Sequence, residues 1–220
     1  MMQSQTPEVY LLPVLALMRD YEYDPVWVQP FDDFVGAFSP SQTADPVKLY
    51  QYIEYWLIRG KNDLAIPFYR RLNELRSDNM VELNDTVVLN DLAYMIAFQQ
   101  TEDEAARKAN IEEGLSLIDS ALNQSENNAN LIDTKGLIVL LQSPRDAVPL
   151  FENAVKVSNH PLFHLHLAVA LLRDQQKDRA EEEFAAIREM LVPQKDLLPE
   201  SNRNYTQELL DAFPESEGRE

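Results

Sequence analysis

The chain has 220 residues, of which 45% are hydrophobic and only five are glycine, so it is long enough to fold around a continuous core and its composition favours helices. Its formal net charge of −18 opposes both a phosphate backbone and an anionic membrane surface, which argues against nucleic acid and membranes as partners. Because cysteine is absent, thiol catalysis, disulfides and cysteine-ligated zinc are excluded.

The first helix is predicted to run from Thr6 to about Asp20, with Pro7 at its first position and a kink at Pro13. The apolar run Val9–Met18 has no Lys or Arg before it and no cleavage pattern after it, which favours a buried helix over a targeting segment. No run is long enough to span a bilayer.

A second short helix is predicted after Pro30, following a loop at Tyr21–Gln29. Its apolar residues recur at spacings of four and three, as Phe31, Val35 and Phe38. Residues 1–45 are therefore expected to form a degenerate helix pair that caps a stack, and Ser39–Pro46 is expected to be a linker or turn.

Residues 46–78 predict a clearer helix pair. Its first helix is lined by Leu49, Ile53 and Trp56 and its second by Ala65, Tyr69 and Leu72. A turn at Gly60–Asp63 joins them, with Asp63 as the N-cap of the second helix. The segment Ala65–Tyr69 matches Ala147–Phe151 term by term, including a proline early in the helix, where a missing donor costs least.

Residues 86–128 predict a pair with an insertion. The first helix is capped by Asn84-Asp85-Thr86, and the inward residues are Leu92, Ala93 and Ile96, then Gly114, Ile118 and Ala121. The extra residues include a capping box at Thr101–Glu104 and helix-forming Ala105–Ala109. They are expected to lengthen the second helix by two turns, so that it protrudes.

Residues 129–160 and 161–193 repeat one pattern of small and aromatic residues. Gly136, Ala147, Phe151 and Ala154 in the first copy correspond to Ala168, Ala180, Phe184 and Ile187 in the second, about 32 positions later. In the first copy the facing helices are expected at Asn130–Leu141 and Arg145–Val157. Two antiparallel helices approach closely only where a small residue faces its partner, and an aromatic side chain fills the wider gap beside it.

These residues resemble the tetratricopeptide repeat (TPR), in which a small residue late in the first helix is followed twelve positions later by Ala and then by an aromatic residue. The Pro161 copy has this spacing in Ala168, Ala180 and Phe184, although both copies lack the Trp usual near the start of the first helix. The resemblance implies an all-α, right-handed solenoid of four to five stacked antiparallel helix pairs.

Residues 194–220 are expected to end the stack. Pro199-Glu200-Ser201 opens a helix whose Tyr205, Leu209 and Phe213 lie on one side, as a capping helix requires. Pro214–Glu220 is acidic and is expected to be disordered.

No cofactor or metal is predicted. His160 and His164 could share a helix face, but no carboxylate at ligand spacing completes a metal site; His164 is expected to face the core and His166 the groove. The acidic runs Asp32-Asp33 and Glu181–Glu183 are expected to form solvated faces. Tyr21, Tyr23 and Trp27 either pin the N-terminal loop or form a contact patch for a basic partner.

In TPR proteins the first helices line a concave groove that binds protein segments, so the resemblance implies a non-catalytic scaffold or adaptor with these groove positions: Tyr50, Gln51, Glu54, Asn90, Asp91, Tyr94, Asp133, Thr134, Leu137, Leu165, His166 and Val169. Members that bind chaperone tails use a clamp of Lys, Arg and Asn, of which only Asn90 is matched here. The acids Glu54, Asp91 and Asp133 instead predict a peptide or protein partner with a basic segment.

Two alternatives remain at this point. The binding face could lie on Thr101–Asn110 instead of the groove. The chain could also be an enzyme or small-molecule sensor that uses Asp91, Asp133 and His166, although an open groove rarely desolvates titratable groups as catalysis requires. If Met1 begins the natural protein we expect a cytoplasmic location, whereas the degenerate first repeat also fits a longer parent with further repeats upstream.

Overall fold

The computed structural model describes Leu15, Met18 and residues 25–77 and 85–214. Residues 25–77 and 85–214 form ten α-helices and two 3₁₀ helices, and they contain no strand. The α-helices are α1 Pro25–Gly36, α2 Pro46–Ile58, α3 Asn62–Ser77, α4 Asp85–Ala97, α5 Glu104–Leu122, α6 Ala129–Leu140, α7 Pro144–Val157, α8 Pro161–Arg173, α9 Lys177–Leu191 and α10 Glu200–Ala212; the 3₁₀ helices are Pro40–Gln42 and Val192–Leu197. The all-α prediction is confirmed.

The chain divides into two compact units, an N-terminal unit of residues 1–114 and a C-terminal unit of residues 115–220, with the boundary inside α5. In the N-terminal unit α3 packs against both α2 and α4. In the C-terminal unit α6 packs on α7, α7 on α8, and α8 on both α9 and α10. From α2 to α4 and from α6 to α9, each helix therefore packs on the next helix in the chain, as the repeat pattern predicts.

The closest approach of α6 and α7 occurs where Gly136 faces Phe151. A Cβ atom added to Gly136 would lie 2.6 Å from the Phe151 ring, which is fully buried. In the next pair Ala168, Ala180 and Phe184 are buried in the same roles. The predicted contact of a small residue with an aromatic ring is confirmed, and it lets the two backbones approach closely.

The predicted core residues of the N-terminal unit are also buried. They are Leu49, Ile53 and Trp56 on α2, Ala65, Tyr69 and Leu72 on α3, and Leu92, Ala93 and Ile96 on α4. The α2 and α3 sets recur at spacings of three and four, and the α4 set adds Ala93 directly beside Leu92, so one side of each helix supplies the core.

Helix α1 begins at Pro25, five residues before the position predicted from Pro30. The loop expected at Tyr21–Gln29 was wrong for its last five residues, because Pro25 is itself a favoured first helical residue and the added turn buries Val28 completely. Phe38 lies two residues beyond the end of α1 but still packs on Tyr52, with ring centroids 4.5 Å apart.

Asp32 anchors α1 to the end of α2 through a buried ion pair, so the solvated face expected for Asp32-Asp33 was wrong for its first residue. The Arg59 guanidinium donates to both Asp32 oxygens, Nε at 3.0 Å and Nη2 at 2.8 Å. Tyr55 Oη donates at 2.7 Å and Lys61 Nζ at 3.1 Å. The hydrogen bonds from Arg59 hold the pKa of Asp32 well below its usual range and outweigh the effect of burial.

Two predicted helix caps were wrong. Helix α3 begins at Asn62, so Asp63 lies inside its first turn and is not its N-cap. Helix α5 is capped by Asp103, whose Oδ1 accepts from the backbone N–H groups of Ala105 and Ala106 at 2.9 and 3.3 Å. The capping box at Thr101–Glu104 therefore does not form, because Asp103 competes successfully with Thr101 for the exposed donors.

Helix α5 has 19 residues, against 16, 14 and 15 in α3, α7 and α9. The insertion thus adds about one helical turn and not two, since a turn takes 3.6 residues. The remaining inserted residues form the exposed connection from Gln100 to Asp103.

A proline occupies the sixth position of three helices, as Pro30 in α1, Pro67 in α3 and Pro149 in α7. The first four N–H groups of a helix have no helical partner, but the sixth position lies beyond them. Each proline therefore removes a helical hydrogen bond, although we expected the missing N–H donor to cost little at this place. All three prolines are exposed, and water can therefore satisfy the carbonyl that loses its donor.

Several predictions fall wholly or partly on residues outside the described ranges: the helix Thr6–Asp20 with its kink, the side chains of Tyr21, Tyr23 and Trp27, the cap at Asn84 and the tail beyond Pro214. Leu15 and Met18, from the apolar run, are helical and buried. Among the described helices, none combines the length and the apolar character needed to cross a membrane.

Candidate functional site

The predicted groove positions of the N-terminal unit lie on α2 and α4 and are all partly exposed. They are Tyr50, Gln51, Glu54, Asn90, Asp91 and Tyr94, and we call them the α2–α4 surface. Tyr94 stacks on Phe98 one turn later, with ring centroids 4.5 Å apart. The surface therefore combines partly exposed aromatic rings with two carboxylates.

Asp91 is the most enclosed carboxylate of this surface. Its Oδ2 accepts from Tyr69 Oη at 3.1 Å and its Oδ1 from Asn90 Nδ2 at 3.3 Å. No Lys or Arg among the described residues forms an ion pair with it. Burial raises the pKa of Asp91, and the hydrogen bonds from Asn90 and Tyr69 offset only part of that effect.

The charge of Asp91 also acts on two tyrosines. Burial and the Asp91 carboxylate raise the pKa of Tyr50. Burial, followed by the same carboxylate, raises the pKa of Tyr69 far above its ordinary value. The hydrogen bond therefore joins Tyr69 from α3 to Asp91 from α4, and the charge of Asp91 also acts on Tyr50 from α2.

The predicted groove positions of the C-terminal unit are buried and not open to a partner. They are Asp133, Thr134, Leu137, Leu165, His166 and Val169. The prediction required exposed side chains here, because it assumed that the first-helix faces of α6 and α8 stay uncovered. Helix α10 packs on α8, and its Asn202 contacts His166 directly.

His166 stands at the centre of a buried polar network. Its Nδ1 lies 2.8 Å from Asp133 Oδ1 and its Nε2 lies 3.0 Å from Asn202 Oδ1. Burial alone would lower the pKa of His166, but the Asp133 charge and the hydrogen bonds to Asp133 and Asn202 outweigh it and raise that pKa above 6.5. Relative to the unfolded chain, folding of the C-terminal unit therefore favours the imidazolium form of His166, in which both ring N–H groups donate.

We expect the C-terminal unit to lose stability as the pH rises. Folding raises the pKa of His166, so its ionised form stabilises the folded state fully when the pH is below the pKa of the unfolded chain, near 6.5. This stabilisation is lost as the pH rises through the pKa of His166 in the folded chain. Urea unfolding of the whole chain across this range, with hydrogen exchange at amides of α8 and α10, measures the effect.

The Asp133→Asn variant provides the control for this pH dependence. It removes the charge that stabilises the imidazolium, so it should cost about 2 kcal/mol at pH 6 and less at pH 9, in the range of a hydrogen bond to a charged group. An equal cost at both pH values would contradict the assigned protonation of His166.

The other two histidines have structural partners. The expectation that His164 faces the core and His166 an open groove was wrong for exposure, because His164 is partly exposed and His166 is buried under α10. His160 is the N-cap of α8, with Nδ1 accepting from Leu162 N–H at 3.3 Å. His164 is partly exposed and lies 2.6 Å from both Glu183 and Asn159. The described residues contain no group of three or more His, Asp or Glu side chains placed to hold a metal ion.

A separate open pocket of about 550 Å³ lies in the C-terminal unit, between the end of α5 and helices α6 and α7. Lys135 Nζ forms an ion pair at 2.7 Å with Asp119, and both side chains line this pocket. Its lining also includes Glu126 and Ile132. None of the predicted site residues reaches it.

The enzyme alternative required Asp91, Asp133 and His166 to act together. Asp133 and His166 do meet, but both are buried and their hydrogen bonds go to each other and to Asn202. Asp91 belongs to the other unit, where its partners are Tyr69 and Asn90. Two polar contacts were not predicted from the sequence. Tyr69, which binds Asp91, was predicted only as a core residue from the 3.6-residue periodicity. Asn202, which binds His166, lies on the polar side of the predicted capping helix.

No family model and no curated protein matches the sequence. Among solved structures, the chain is similar to a thermophilic TPR protein from Thermus thermophilus. The two are 20% identical, and the alignment covers 92% of this chain and 98% of the other with a TM-score of 0.58. At this identity the likeness shows the fold alone, and it confirms the predicted TPR-like arrangement of helix pairs.

Proposed function

We propose that this chain, whose helix pairs have the tetratricopeptide-repeat fold, is a non-catalytic scaffold or adaptor that binds a basic peptide or protein segment on the α2–α4 surface. Repeat proteins of this architecture commonly bind extended segments on the faces of their first helices. The fold therefore supports a protein partner, and the choice of surface rests on the exposed side chains.

The observation that carries this proposal is the composition of the α2–α4 surface. It presents Glu54 and Asp91 beside the partly exposed rings of Tyr50 and Tyr94. Aromatic rings with nearby carboxylates attract Lys and Arg through both cation–π and Coulomb interactions. The net charge of −18 adds a long-range attraction for a basic partner.

The binding face is tested with fluorescent peptides of equal length that differ only in carrying Lys and Arg or Asp and Glu. We expect saturable binding of the basic series alone, weakening as salt rises because the attraction is screened. The charge reversal Glu54→Lys should weaken binding about tenfold, which corresponds to roughly 1.4 kcal/mol.

The matched control is Glu104→Lys, on the exposed start of α5 within the alternative face Thr101–Asn110. It changes the net charge equally, so a general electrostatic effect would weaken binding in both variants. A loss confined to Glu104→Lys would move the binding face to residues 101–110. Equal binding of the acidic and basic series would reject the proposal.

A further inference from the structure

We propose that Asp91 and Asn90, with the ring of Tyr50, form a recognition site for a lysine ammonium group of the bound segment. This inference rests on the proposed function and assigns the chemical group that the α2–α4 surface recognises. It is carried by the hydrogen bonding of two adjacent side chains, which is incomplete within the chain itself.

The first observation is a carboxylate that forms no ion pair with a Lys or Arg in residues 25–77 and 85–214. Asp91 is largely enclosed, and its two hydrogen bonds come from neutral groups, Tyr69 Oη and Asn90 Nδ2. In the same unit, the enclosed carboxylate of Asp32 forms ion pairs with Arg59 and Lys61. An enclosed carboxylate with neutral partners costs stability unless a cation is supplied from outside.

The second observation is an orphaned acceptor beside that carboxylate. Asn90 Oδ1 is buried and accepts no hydrogen bond from any residue that the structure describes, while the Nδ2 of the same amide donates to Asp91. Buried acceptors nearly always have a donor in folded proteins, so this atom indicates that a donor is missing from the isolated chain.

The missing group is better matched by an ammonium than by a guanidinium. The acceptors offered here, the Asp91 oxygens and Asn90 Oδ1, belong to two separate side chains, whereas the planar Arg fork matches the paired oxygens of one carboxylate, as Arg59 matches Asp32. An ammonium has three donors around a compact charge, so it can use the remaining lone pairs of Asp91 and, once the Asn90 amide turns outward, Asn90 Oδ1 as well. Tyr50, partly exposed on α2, is the aromatic residue of this surface that we assign to a cation–π contact with the same ammonium.

The test titrates the ¹⁵N-labelled full chain with Nα-acetyl-lysine methylamide and with the matching arginine and norleucine compounds, following backbone amides by NMR. We expect saturable shifts at residues of the α2–α4 surface with the lysine compound, weaker shifts with arginine and none with norleucine. The Asp91→Asn variant should weaken lysine binding at least about tenfold.

The matched control is Asp63→Asn, the same change at an exposed carboxylate of the same unit, which should leave lysine binding unchanged. Asp91→Asn should be at least as heat-stable as the original chain, because it removes an enclosed charge that lacks a cation. Tyr50→Leu is a second variant that does not alter the buried polar groups, and it should weaken lysine binding several-fold.

Equal responses to lysine and norleucine, tighter binding of arginine, or an unchanged affinity in both Asp91→Asn and Tyr50→Leu would overturn the inference. These failures differ from a failure of the proposed function. If basic peptides bind the original chain and Asp91→Asn equally well, the lysine site is rejected while peptide binding stands. If no basic peptide binds the original chain, the proposed function itself is rejected.

Discussion

Replacing Asp32 with alanine should lower the free energy of unfolding of the N-terminal unit by about 3 kcal/mol, near the lower end of the range for breaking a buried ion pair. The variant leaves the Arg59 guanidinium, whose side chain is 14% exposed, without its bidentate carboxylate. The loss in free energy of unfolding should not exceed this value, because the Lys61 side chain is 42% exposed and water can hydrate its ammonium group once Asp32 is removed. Urea unfolding with hydrogen exchange at amides of α1 and α2 measures it.

The neighbouring change Asp33→Ala is the control, since Asp33 is exposed and its carboxylate accepts a hydrogen bond from the exposed Gln29. This change should alter the free energy of unfolding by no more than about 0.5 kcal/mol.

The stabilisation from Asp32 should also depend on pH, because folding lowers its pKa. It is complete when the pH is above the pKa of the unfolded chain, 3.8, and is lost as the pH falls through the pKa of Asp32 in the folded chain. If Asp32→Ala and Asp33→Ala cost the same, the ion pair does not anchor α1.

Replacing Gly136 with valine should destabilise the C-terminal unit by about 3 kcal/mol, as expected for overpacking a closed core. The new Cβ would lie 2.6 to 2.9 Å from three atoms of the Phe151 ring. The ring is fully buried, so either α6 or α7 must shift to make room. Thermal unfolding of the whole chain, with hydrogen exchange at amides of α6 and α7, locates the loss.

Gly36→Val makes the same change at an exposed position, where the nearest atom, from Trp56, would be 3.9 Å from the new Cβ. It should be nearly neutral. Combining Gly136→Val with Phe151→Leu should cost less than the sum of the two single changes, because the smaller side chain makes room for the valine. Strict additivity would mean that the two residues do not clash.

The contact between Gly136 and Phe151 could be predicted from the sequence because it is local. It joins two helices that follow one another, and the period of the repeat set which residues face each other. The pair of Asp32 and Arg59 could not be predicted in the same way. It joins residues 27 positions apart, and it depends on where α1 begins, which is decided by the burial of Val28.

In the candidate site, too, local sequence patterns predicted some features and missed others. The partial exposure of the α2–α4 surface agrees with the groove positions that the TPR resemblance implied, although the binding role of this surface remains a prediction. Asp133 and His166 were placed on an open face because helix periodicity shows which residues share a side, but not which later helix packs there. Asn202 reaches His166 from 36 residues away, and no local pattern predicts that contact.

Helix α10 has a consequence for self-association. It buries Tyr205, Leu209 and Phe213 and leaves Arg203 and Gln207 exposed. Without it, the last helix pair would present apolar surface that a second copy could cover, and head-to-tail addition of this kind has no geometric end point. Because α10 covers that surface and turns polar residues outward, we expect the C-terminal unit to resist open-ended self-association.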